Sequence, residues 1–75
     1  MDLEVLGRVL RQQRERRGLS QEALAELADL SRSYIGEIER GSTIPSIVTL
    51  SQLAGAFGVP LSQLIKDYEL AAASI

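Results

Sequence analysis

Apolar positions recur along this chain at the period of an α-helix. Leu3, Leu6, Val9 and Leu10 are spaced by three and four, which predicts a first helix over about 3 to 17. Leu24, Ala25, Leu27 and Ala28 mark a shorter second helix at about 21 to 28, and Ile35 and Ile38 the inward face of a third at about 32 to 40. Leu50, Leu53, Ala54 and Phe57 define a fourth over about 46 to 57. Leu61, Leu64, Ile65 and Tyr68 share one side of a fifth, which opens at Pro60 and runs into the tail LAAASI. No segment alternates apolar and polar residues as a half-buried strand would. The predicted fold is all-α, with five helices.

The punctuation agrees with the pattern. Ser20, Ser31 and Ser46 stand where a side-chain oxygen can cap the second, third and fourth helices. Gly18, Gly41 and Gly58 follow the first, third and fourth, where a left-handed residue ends a helix. Pro60 suits a first helical turn. Ala25 is small where bulk would be easy, so another helix is expected to cross there. Gly36, in mid-helix, costs about 1 kcal/mol relative to alanine and is read as serving close approach to something.

Length and composition narrow the classes. Seventy-five residues make one domain, 1–75, near the lower limit for folding without staples. Cysteine and histidine are absent, which removes disulfides, thiolate sites and the commonest metal ligands. No metal or other cofactor is expected. With no long apolar run there is no membrane span or signal core, and the cytoplasm is the default location. The net charge of -2 argues mildly against nucleic acid, but its distribution argues the other way. Seven of the eight basic residues are arginines between Arg8 and Arg40. An enzyme fits poorly, because no serine or carboxylate has a plausible general base beside it.

Two short helices joined by a tight turn, the second serine-capped and carrying hydrogen-bonding side chains, suggest a helix-turn-helix. The stretch is SQEALAELADLSRSYIGEIERG. With LSQEALA, SRSYIGEIERG, PSIVTLSQLA and FGVPLSQLI in register, the chain from about Leu6 to Ile65 resembles the Cro/repressor-type, lambda repressor-like (XRE) helix-turn-helix family. The resemblance implies a five-helix DNA-binding domain, usually dimeric, that acts in transcriptional regulation. The compact controller proteins of restriction-modification systems are similar in size and layout.

The same resemblance implies roles. The helix at 32 to 40 would lie in the major groove of double-stranded DNA with its amino end against the bases. Arg32 and Ser33 would read base edges, an arginine suiting guanine because it can donate to both O6 and N7. Glu37 would accept from a cytosine amino group or repel a wrong sequence, and Gly36 would let the backbone near the groove. Tyr34 would reach a phosphate or pack against the first helix. Gln21 would bind a phosphate and steady the side chain at 32, while Arg40 would contact the DNA backbone. Arg14 and Glu39 match a partly buried salt bridge, leaving Arg11, Arg16 and Arg17 as weaker backbone candidates. Three positions depart from the family. Asp29 replaces a glycine expected to be left-handed, which Asp tolerates better than most residues. Thr43, kept as a backbone contact, and Ile44 occupy a loop that relatives often fill with phosphate-gripping residues. Pro60 replaces a usual N-cap.

Leu61, Leu64, Ile65, Tyr68 and Ala72 offer more apolar surface than so small a core needs. The expectation is a homodimer through residues 60–75, setting half-sites of an inverted repeat ~34 Å apart. The same stripe reads otherwise as intramolecular core, and the chain as the amino-terminal part of a longer repressor. With no sensor domain after the last helix, no small-molecule effector is expected. A second class of function is an antitoxin or other protein-interaction module of this fold.

Overall fold

Serine oxygens start three of the five helices of the computed structural model, which describes residues 1–74; Ile75, the end of the expected tail, lies outside the described residues. The helices are α1 (Leu3–Arg16), α2 (Gln21–Ala28), α3 (Arg32–Glu39), α4 (Ile47–Phe57) and α5 (Leu61–Ala73). The oxygens of Ser20, Ser31 and Ser46 accept from the amides of Ala23, Tyr34 and Thr49 at 3.0, 3.1 and 3.0 Å. Asp2 does the same for α1, accepting from Glu4 and Val5. Each bond satisfies an amide that the helix itself leaves free. Pro60 enters α5 with no side-chain cap.

The turn between α2 and α3 closes on Asp29, at φ 57° and ψ 46°, the left-handed conformation expected there. The Leu30 amide reaches back to the Ala25 carbonyl at 2.9 Å, which fixes the angle between the two helices.

α1 packs on α3 and α5, α2 on α3 and α4, and α4 on α5. The fully buried side chains are Leu6, Leu10, Leu24, Ile35, Leu53 and Leu64, so every helix contributes to one core. Each such burial stabilises by about 1.5–3 kcal/mol. Among the described residues no buried polar side-chain atom lacks a hydrogen-bond partner.

Leu27 is 60% exposed, because α2 turns only its Leu24, Ala25 and Ala28 edge to the core. Leu64 and Tyr68 are not free for a partner chain. Leu64 is fully buried on the inner side of α5, and the Tyr68 hydroxyl accepts from the Asp2 amide at 2.7 Å, both within the chain's own fold. The tightest approach at a glycine is at Gly7. A Cβ on Gly7 would lie 2.5 Å from the Glu39 carbonyl oxygen, so α1 and the end of α3 meet there with no room for a side chain.

A candidate nucleic-acid interface on helix α3

Ile35 and Ile38 anchor α3 in the core, which leaves Arg32, Ser33, Glu37 and Arg40 on its exposed side. The helix is fixed at its carboxyl end by a buried ion pair. Arg14 Nε and Nη2 donate to the two oxygens of Glu39 at 2.7 and 3.0 Å, and Nη1 donates to the Leu19 carbonyl at 2.8 Å. The hydrogen bond to Glu39 raises the Arg14 pKa above its ordinary value, with burial opposing. The guanidinium therefore holds its charge at every pH below the ordinary arginine range. The part of the stability linked to the raised pKa is lost as pH rises through it.

Gln21 joins this site as well. Its amide donates to Glu39 Oε1 at 3.1 Å, so one carboxylate ties α1, α2 and α3 together. The residue that steadies Arg32 is Glu22, whose Oε1 accepts from Arg32 Nε at 3.0 Å. Nothing in the residue pattern singled out Glu22; only the angle between α2 and α3 brings it to Arg32.

Tyr34 packs toward α4 and not toward α1. Its hydroxyl lies 3.4 Å from Thr49 Oγ1, which in turn accepts from the Ser46 hydroxyl at 3.1 Å. Gly36 is covered: a Cβ there would stand 3.0 Å from Arg40 Nη1, so the Arg40 side chain lies back over the middle of the exposed face. Thr43 is half-buried, and the neighbouring Ser42 hydroxyl donates to the Glu37 carbonyl at 3.0 Å. Arg17 is taken by the fold. It stacks over the Phe57 ring at 4.9 Å and donates to the Phe57 carbonyl at 3.1 Å, closing the carboxyl end of α4. Arg11 pairs with Glu15 at 3.5 Å.

Arg40 makes no ion pair among the described residues, and Arg32 is 61% exposed beside its glutamate. Arg32 at the amino end of α3 and Arg40 at its carboxyl cap thus stand exposed at the two ends of one short helix. The helix-turn-helix family model matches residues 10–64. The chain belongs to the HTH_3 helix-turn-helix family.

Relatives within that family are regulators by name. The immunity repressor protein of Bacillus phage phi105 is 42% identical over 65 residues, covering 87% of this chain and 45% of the repressor. The control protein C.MunI of a Mycoplasma species is 39% identical over 56 residues, covering 75% of this chain and 76% of that protein. Among solved structures, the restriction-modification controller protein C.AhdI of Aeromonas hydrophila is 44% identical with a TM-score of 0.81, covering 84% of this chain and 96% of that one. The chain spans less than half the length of several curated relatives, the phage repressor included. No single described helix is long and apolar enough to cross a membrane.

Proposed function

We propose that this chain is the DNA-reading unit of a transcriptional regulator, placing α3 in the major groove of an operator. The observation that carries the reading is the division of α3 into two sides. Ile35 and Ile38 are locked into the core, while Arg32, Ser33, Glu37 and Arg40 stand outside on a helix whose end is held by Arg14 and Glu39. A rigid helix with an arginine at its amino end suits bidentate recognition of guanine. The cytoplasm, where the DNA is, follows as its place of work.

The reading includes a homodimer on an inverted repeat. With Leu64 and Tyr68 withdrawn into the core, the dimer contact rests on the apolar side chains still accessible on α4 and α5. These include Ile47 and Val48, 61% and 65% exposed, Leu70, 61% exposed, and the half-buried Leu61 and Ile65.

The test is a footprinting titration on a site selected from random duplexes. Arg32→Ala should weaken binding by about 1–3 kcal/mol and relax the preference at one base pair per half-site. Unchanged affinity and preference would show that Arg32 is not a reader.

A further inference from the structure

Arg32 stands in the first turn of α3, where the positive end of the helix dipole disfavours a cation. Glu22 stands in the first turn of α2, where the same effect favours an anion. The turn between the helices brings the two together, with Glu22 Oε1 3.0 Å from Arg32 Nε. Gln21, the neighbour that the resemblance would assign to this task, is committed to Glu39 at 3.1 Å.

The pair is an odd one for stability. Both side chains are largely exposed, at 61% and 72%, and a solvated ion pair of this kind contributes little to folding. It also places a carboxylate on the edge that must approach a polyanion. We propose that Glu22 is a specificity-determining residue that positions Arg32 for base reading, a role resting on the DNA-reading function above.

The chemistry works through the two edges of the guanidinium. Glu22 occupies the Nε edge, so the Nη1 and Nη2 edge is the one presented beyond α3. That edge matches the O6 and N7 acceptors of guanine. Without Glu22 the arginine is free to swing to the nearest phosphate, where it gains affinity but reads nothing. The carboxylate also opposes phosphate contacts made without the matching base, since it repels the backbone wherever the fit is poor. Glu22 therefore lowers non-specific affinity and raises discrimination, two effects of opposite sign from one residue.

The experiment compares wild type, Glu22→Ala, Glu22→Gln, Arg32→Ala and the Glu22→Ala/Arg32→Ala double variant. Sites are selected from a random-duplex pool, and affinities are then titrated on the winning site, its single-base variants and an unrelated duplex. Glu22→Ala should bind the unrelated duplex several-fold more tightly. It should also lose about tenfold in discrimination at the one base pair that Arg32→Ala also relaxes. Glu22→Gln keeps an acceptor for Arg32 Nε and should recover part of the discrimination. In the Arg32→Ala background, Glu22→Ala should change no base preference. If Glu22→Ala tightens binding to every duplex by the same factor, Glu22 is only a bulk charge and the positioning role is overturned. If wild type selects no site at all, the DNA-reading function itself fails, and the role of Glu22 with it.

Discussion

Arg14 and Glu39 form a two-point ion pair at 2.7 and 3.0 Å, with side chains only 12% and 6% exposed. Removing one partner leaves the other charge buried and unmatched. Arg14→Ala is expected to cost about 3 kcal/mol of unfolding free energy, read from urea denaturation. The paired replacement Arg14→Met with Glu39→Leu should recover most of that loss, because it removes both charges at once. If the single and double variants were equally unstable, the pair would matter for its shape and not for its charges.

Gly7 and Gly36 should respond to alanine in opposite ways. At Gly7 the new methyl would meet the backbone of Ile38 and Glu39, at 2.6 and 2.5 Å, and neither can step aside. Gly7→Ala should therefore destabilise by about 1–3 kcal/mol. At Gly36 the only close neighbour is the tip of the Arg40 side chain, at 3.0 Å. Gly36→Ala should gain up to about 1 kcal/mol of helix stability while displacing Arg40 and weakening DNA binding. Thermal melts and binding titrations on the same samples separate the two effects.

Arg40 lies over the exposed face with no ion partner among the described residues, which suits a phosphate contact. Arg40→Ala should weaken binding to all duplexes alike. A plot of log affinity against log salt should become shallower by about one unit of slope. A change confined to one sequence would make Arg40 a base reader.

Leu64 and Ile47 test which apolar side chains hold the fold and which hold a second subunit. Leu64→Ala empties a fully buried site and should cost about 2–5 kcal/mol. Ile47 is 61% exposed, so Ile47→Asp should leave the melting behaviour of the folded chain largely intact. In sedimentation, the Ile47 variant should run as a monomer where wild type runs as a dimer. A wild-type dimer that survives Ile47→Asp would move the contact to Leu61 and Ile65.

The helices were legible because their signals are local. Each serine cap acts within three residues of itself, and the left-handed Asp29 lies next to the helix it ends. The Arg14–Glu39 pair was reached through the resemblance, since the two are 25 residues apart. What stayed hidden depends on angles between helices. Gly7 reads as an unremarked break in LGRVL, and only the crossing of α1 and α3 gives it a purpose. The stripe on α5 looked like spare surface because periodicity shows that residues share a face. It cannot show that the face is already covered, as α1 and α4 cover Leu64. Glu22 belongs to the same class, its carboxylate brought to Arg32 by a turn that no count of residues describes.

The hydroxyl of Tyr68 and the amide of Asp2 meet across 66 positions, and Gln13 meets Asp67 across 54. Helix α1, which braces α3 through Gly7 and Arg14, is itself held down by α5, which leaves the ribosome after α3. During synthesis the sequence of the recognition helix emerges well before its support is complete. Non-local closure of this kind slows folding relative to a bundle built from neighbours. A nascent chain halted before α5 would carry every residue of the proposed DNA-reading edge and yet lack the frame that aims them.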